Sequence, residues 1–327
     1  MTGLPELVCP MCRLPLVNDP QGWHCTVCGR VFPIVAGIPD LRIAGDAYLS
    51  IEDDRRKAED LAAVEGDFAA VLAAYWRWTP EVPADLAAHY VRSALDGRRR
   101  AALHLRRLGT RSGSLLDVGC GTGGLLAAAS AAGAEPVGVD IALRWLVVAS
   151  RALAEVGAPA RLVAADGALL PFRAGSFDTV VCVETLEHAE DQRGLLHSCM
   201  AAARPGGVAY LVTANRHSLA PEPTVGLWGV GWLPRRAAVE YVRLRRGTRY
   251  RHFRPPSLSE LLALLGPAPD ARVTAAGLPA PPLGASPMRR RVGLAYDGIR
   301  RGRSQRVVRR VAPYLEVLSA RAPAEPG

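Results

Sequence analysis

Three groups of residues in this 327-residue chain have the types and spacing to do chemistry. The first is Ser114-Leu115-Leu116-Asp117-Val118-Gly119-Cys120-Gly121-Thr122-Gly123-Gly124, followed by an alanine-rich run from Leu125 to Ala132. It reads as a strand, a glycine turn and a helix. Glycines at such a turn let the backbone come close to a ligand, and the free N–H groups at the helix start favour a negative group, so a nucleotide-like ligand is implied. Gly119, Gly121 and Gly124 also satisfy Gly-x-Gly-x-x-Gly, a pattern that alone does not separate a nicotinamide from other nucleotides.

Three acids make that separation. Asp117 stands two residues before the first glycine, in a strand that dinucleotide-binding folds usually keep apolar. There it can meet the cationic methionyl end of S-adenosylmethionine, directly or through neighbours. Val137-Gly138-Val139-Asp140 is a second strand ending in an acid suited to both ribose hydroxyls, a device both cofactor classes use. Arg161 to Gly167 forms a third strand, whose Asp166 can accept from an adenine amino group. This last acid favours the methyl donor.

The second group follows the fourth strand, Phe177 to Val183, and runs Glu184-Thr185-Leu186-Glu187-His188-Ala189-Glu190-Asp191. Open α/β sheets bind ligands at that carboxyl edge. Methyl transfer from a sulfonium needs an acceptor lone pair in line with the S–CH₃ bond, so positioning alone supplies about 7–11 kcal/mol. A hydroxyl or acidic-carbon acceptor also benefits from proton removal, for which His188 is the candidate general base; the alternative is a histidine capping the loop before the helix near Asp191. Glu184 is the candidate to line the donor pocket, with an ordinary strand-end acid as its alternative. The Asn/Asp-Pro-Pro-Tyr pattern of many enzymes that methylate exocyclic amines of bases is absent here.

The third group is Cys9-Pro10-Met11-Cys12 and, twelve residues on, Cys25-Thr26-Val27-Cys28. Each pair sets two thiolates on one tight turn, and two such turns give the closed tetrahedral sulfur cage of structural Zn²⁺. With no position left for water, such a zinc holds a fold and does not catalyse; a unit of roughly 45 residues needs a staple of this kind. Cys120, Cys182 and Cys199 are scattered singly, as core or loop thiols.

Leu115 to Gly124, Asp140, Asp166-Gly167-Ala168-Leu169-Leu170-Pro171-Phe172 and Ser176-Phe177-Asp178 resemble the class I S-adenosylmethionine-dependent methyltransferases, nearest the branch of the ubiquinone and menaquinone biosynthesis enzymes. The likeness spans residues 113–213. It implies that Asp117, Gly119, Gly121 and Gly123 line the methionine side, that Asp140 holds the ribose, and that Asp166 with Gly167 meets the adenine. Each of these could instead serve as a turn or cap residue. Residues 1–43 resemble the short zinc ribbon that precedes or partners many methyltransferases; in relatives acting on ribosomal or transfer RNA it can bind substrate or activate the enzyme. The sequence departs from the zinc-bearing ribosomal-RNA guanine methyltransferases, which carry a different, proline-containing motif after the fourth strand.

The resemblance implies an α/β fold, a Rossmann-like seven-stranded methyltransferase sheet with an N-terminal zinc ribbon and a basic C-terminal insertion. The expected organisation is a zinc ribbon over 1–45, a helical linker or lid over 46–108, and a methyltransferase domain over 109–327 with insertions at about 215–256 and 278–312. Helical patterns cover Leu61 to Tyr75 and Val91 to Leu108, with Tyr75-Trp76-Arg77-Trp78 between. A sixth strand is expected at Ala271 to Ala276 and an antiparallel seventh at Tyr314 to Ala320. Hydrophobic residues are 49% and charged residues 22%, which excludes a disordered or fibrous class. No apolar run reaches the roughly 18–20 residues of a bilayer span, and the N-terminus lacks a signal-like start, so a cytoplasmic location is expected. The net charge of +9 comes from eight arginines in 235–254 and nine in 289–310, the remainder being mildly acidic. Such clusters suit an anionic membrane or RNA, with a solvated arginine surface as the alternative. The expected function is methyl transfer to O or C of a small-molecule, lipid-linked or glycan acceptor. A ribosomal- or transfer-RNA methyltransferase and a non-catalytic zinc-stabilised partner protein are the alternatives; acceptor identity and oligomeric state are not legible.

Overall fold

The computed structural model describes residues 5–320 except 110–111, 159, 249, 251, 268–269, 278–290, 292–294, 301 and 303–304. Most of the expected 278–312 insertion, with Arg289, Arg290, Arg301 and Arg303 of the second arginine cluster, therefore lies outside the described residues.

The N-terminal module is a small antiparallel sheet of β1 (Val17–Asp19), β2 (Gly22–His24) and β3 (Val31–Phe32), then a hairpin of β4 (Ile34–Val35) and β5 (Ile38–Pro39). Four helices follow: α1 (Ile51–Ala62), α2 (Phe68–Arg77), α3 (Ala84–Leu95) and α4 (Gly97–Leu108). The sequence pattern suggested two longer helices here, and both are broken. Gly66 takes a φ of 111° and Asp67 caps a new helix by accepting from Ala70 N at 2.8 Å, so Leu61–Tyr75 is not continuous. At Asp96, with φ −89° and ψ 0°, α3 ends and α4 starts at Gly97; a Cβ on Gly124 would lie 2.7 Å from Gly97 C, so α4 packs closely on its neighbour. Local propensity favoured continuity; a glycine, an aspartate cap and tertiary packing overrode it.

The main sheet contains β6 (Gly113–Val118), β7 (Ala134–Asp140), β8 (Arg161–Ala164), β9 (Phe177–Val183), β10 (Ala203–Ala214), β11 (Ala271–Ala275) and β12 (Tyr314–Ala320). Their spatial order is β11-β12-β10-β9-β6-β7-β8, with β12 antiparallel to both its neighbours and the other pairs parallel. Both expected late strands are present. The inner strands are near-continuous apolar runs, as burial on both faces demands. Helices α5 (Gly124–Ala131), α6 (Leu143–Glu155), α7 (Gln192–Ala202), α8 (Arg235–Arg246) and α9 (Leu258–Leu265) complete the set that concerns the site. The chain runs outward from β6 through β7 to β8 and then returns to β9 on the other side of β6. Ligand crevices form at such a reversal, at the carboxyl ends of β6 and β9.

The N-terminal module is not a separate globule. Leu7, Leu16, Phe32 and Leu41 share one buried core with Leu116, Phe172 and Phe177 of the main sheet. Beyond β8 the chain adds a bridge between Asp40 and Ala164, and Leu41 N donates to Ala164 O at 2.8 Å. The 215–256 stretch has a smaller core of its own, Val225, Val230, Ala238 and Val242. Among the described residues, no helix is long and apolar enough to cross a membrane.

Candidate active site

The glycine turn is shaped by backbone demands that favour glycine, most sharply at Gly119. Gly119 has φ 76°, its N–H donates to Val139 O at 2.7 Å, and a Cβ there would lie 2.2 Å from Thr185 Oγ1. Gly121 has φ 49°, and a Cβ there would meet nothing within 4 Å. Its N–H donates to Asp140 Oδ2 at 2.9 Å, while Asp140 Oδ1 accepts from Ala142 N at 2.8 Å. Asp140 thus braces the turn before any ligand arrives and keeps lone pairs free on both oxygens. Gly123, also in the left-handed region, turns the chain into α5. Asp166 accepts from Ala168 N at 2.9 Å and so caps the short turn Gly167–Leu169.

One cavity of about 2090 Å³ opens over these strand ends and is lined by Gly119, Gly121, Asp140, Asp166, Gly167 and Glu184. Asp117 and Gly123, which the sequence also pointed to, are not among its lining residues. Asp117 is instead buried, and burial together with the Asp140 carboxylate raises its pKa to about 8. Burial likewise raises Asp140.

The segment after β9 brings Glu184 and His188 to the same cavity. Glu184 has φ 55°, a conformation rare for a residue with a side chain. His188 ends the short turn Leu186–His188, and its ring packs edge-on against Phe253 with centroids 5.1 Å apart. The helix cap is Asp191 itself, accepting from Gly194 N at 2.8 Å, so His188 does not cap α7. The surrounding walls lower the His188 pKa to about 4, leaving the imidazole neutral at pH 7.

Several lining residues escaped the sequence reading. Glu187, fully buried, accepts from Thr213 Oγ1 at 2.8 Å and from Ala214 N at 3.2 Å, and burial raises it to about 7. Tyr314 enters from β12, its phenol pushed well up by burial and by Glu184 and Glu187. Tyr48, Trp76, Tyr90 and Phe253 also line the cavity, with Trp76 and Tyr90 stacked 5.2 Å apart. The Tyr75-Trp76-Arg77-Trp78 cluster was a visible signal for part of this lining. Nothing local in sequence announces Tyr314.

A buried ion-pair network lies behind the Asp140 turn. Asp54 accepts from Arg42 Nη1 at 2.5 Å, from Arg144 Nη1 at 2.6 Å and from Leu143 N at 2.8 Å, while Arg42 also donates to Asp40 at 2.7 Å and to Ile141 O at 2.9 Å. It joins the end of the N-terminal module, α1 and the start of α6.

The four early cysteines come together. Their Sγ atoms all lie within 4.8 Å of one another, and Cys9 Sγ and Cys28 Sγ are 3.8 Å apart. A zinc tetrahedron with bonds of about 2.3 Å has edges of about 3.8 Å, so this donor set fits Zn²⁺ in size and chemistry. Cys12 N donates to Cys9 Sγ at 3.4 Å, as in a knuckle that closes around a metal.

The mostly parallel seven-stranded sheet, with this glycine turn at its reversal point, has the Rossmann-like arrangement of methyltransferase folds. Residues 116–211 match the family model of a methyltransferase domain. The ubiquinone biosynthesis O-methyltransferase of Bordetella avium is 36% identical over 147 residues, 44% of this chain and 56% of that protein. That of Chromobacterium violaceum is 36% identical over 148 residues, 44% of this chain and 59% of that protein. The chain thus spans somewhat over half the length of these curated relatives. Among solved structures, YcgJ of Bacillus subtilis aligns with a TM-score of 0.45 at 21% identity, over 69% of this chain and 99% of that one.

Proposed function

We propose that this chain binds S-adenosylmethionine and transfers its methyl group to an oxygen atom of a small-molecule acceptor. The observation that carries this reading is the single cavity that joins the glycine turn, Asp140 and Asp166 to a wall of aromatic rings. Asp140 holds the ribose with the lone pairs its brace leaves free, and Asp166 with Gly167 meets the adenine. Glu184 lines the donor pocket, and Asp117 favours the methionyl ammonium from beneath. When bound, the donor supplies an electrophilic methyl carbon. Tyr48, Trp76 and Tyr90 give a flat apolar acceptor its bed, and neutral His188 takes the hydroxyl proton as the acceptor oxygen is alkylated. The naming of the relatives for O-methylation supports oxygen over carbon. Calorimetric titration tests the donor site: binding of S-adenosylmethionine that is lost in Asp140→Ala is expected, and binding of a nicotinamide nucleotide instead would overturn it.

Two finer assignments accompany it. Zn²⁺ occupies the four-cysteine cluster as a structural ion, and metal analysis of purified protein should return one zinc per chain. A lipid-linked acceptor arrives from an anionic membrane surface. Helix α8 exposes Arg235, Arg236, Arg243, Arg245 and Leu244, which is 75% exposed, and Trp228, in the segment before the helix, is 64% exposed. Basic side chains with apolar and aromatic neighbours match a charged headgroup layer, at about 1 kcal/mol per arginine. Gly247 and Thr248, which follow α8, line the cavity, which supports this reading. Co-sedimentation with phosphatidylserine vesicles, but not phosphatidylcholine vesicles, is the expected result. Tighter binding to RNA than to the anionic vesicles would refute it.

A further inference from the structure

The cysteine cluster and the donor pocket are wired together by one side chain. Arg13 directly follows the first knuckle, which holds it in place: its N–H donates to Cys9 O at 2.8 Å, and its backbone has a φ of 61°. From there its guanidinium reaches 157 residues along the sequence, donating through Nη1 to Leu170 O and through Nη2 to Phe172 O, both at 2.6 Å. Val8 N donates to Pro171 O at 2.9 Å between them, and Leu7 bridges Phe172. The gripped stretch is the continuation of the Asp166-Gly167 turn that lines the cavity. A planar fork that meets two carbonyls fixes direction as well as distance, which an ammonium could not do.

We propose that Arg13 is a positioning residue through which metal binding at the four cysteines sets the Asp166-Gly167 turn for the donor, so that metal and S-adenosylmethionine bind with positive coupling. The proposal rests on the donor-site reading given above. Zinc closes the Cys9–Cys12 knuckle, the closed knuckle aims the guanidinium, and the guanidinium holds Leu170–Phe172. Coupling between two ligands is reciprocal, so the donor must retard zinc loss as much as zinc improves donor affinity.

The experiment uses the zinc-loaded 327-residue protein and needs no acceptor. Donor affinity is measured by calorimetry for wild type, Arg13→Ala and Arg13→Lys, with zinc content checked in each. Zinc release to a chromogenic chelator is followed with and without saturating S-adenosylmethionine. The expected result is roughly a tenfold loss of donor affinity in Arg13→Ala at unchanged zinc content, within the usual range of coupling, and little rescue by lysine. In wild type the donor slows zinc release, and Arg13→Ala loses that protection. Should the variant fail to fold, the protection measurement on wild type decides alone. Unchanged affinity in zinc-loaded Arg13→Ala, or zinc release indifferent to the donor, overturns the coupling. A wild type that binds no donor overturns the underlying functional reading as well.

Discussion

Asp117 is the residue whose environment says most about how a cationic ligand would be received. Burial and Asp140 raise its pKa to about 8, so near neutral pH the empty site holds it protonated. A methionyl ammonium favours the carboxylate, and donor binding then expels a proton. Affinity should therefore rise with pH up to about 8 and level off above, whereas Asp117→Asn should remove that rise; calorimetry in buffers of different ionisation enthalpy reads the proton directly. The same raised pKa gives the unliganded fold a contribution that is full at low pH and lost as pH climbs through about 8. His188 has the opposite sign: lowered to about 4, it stays a free base through mildly acidic pH. His188→Ala should leave donor affinity intact while slowing transfer by roughly 10²–10⁴-fold, and unaltered turnover would remove it as base. The acids, Glu184 and His188 stand out as candidates in the sequence because each lies at or shortly beyond the carboxyl end of a strand on the ligand-binding edge. The burial that lifts Asp117 and Glu187, and the approach of Tyr314 from the far end of the chain, depend on contacts that spacing does not encode.

At the scale of elements, the strand–turn–helix units were readable from glycines, acids and apolar runs, and the late strands β11 and β12 from their patterns. The helices between 51 and 108 were read too long because their periodicity continues across the breaks. What stops them is local chemistry at Gly66-Asp67 and close packing at Gly97. The same kind of closeness ties β6 to β9 through Gly119, whose missing side chain leaves room for Thr185. Gly119→Ala combines a strained φ with a collision and should cost about 1–3 kcal/mol of stability in urea unfolding, with a still larger loss of donor affinity. Retention of both would mean that the turn can rearrange freely.

Over the whole molecule, one core runs through the four-cysteine module and the sheet domain, and buried side chains tie Arg42 to Asp54 and to Ile141 beside the Asp140 turn. The short segment at Asp40 and Leu41 adds a further role. Strand β8 is the last of its sheet, and its outer backbone groups are met at Ala164 by those two residues. An uncovered strand of this kind is a template for a second chain, and proteins commonly shield it. Removing residues 1–45 should therefore yield a protein that self-associates through the bared strand, visible as concentration-dependent growth in light scattering; a monodisperse truncated protein would contradict this. On this expectation, Asp40 and Leu41 serve as a stopper against intermolecular sheet growth at the Ala164 end of β8.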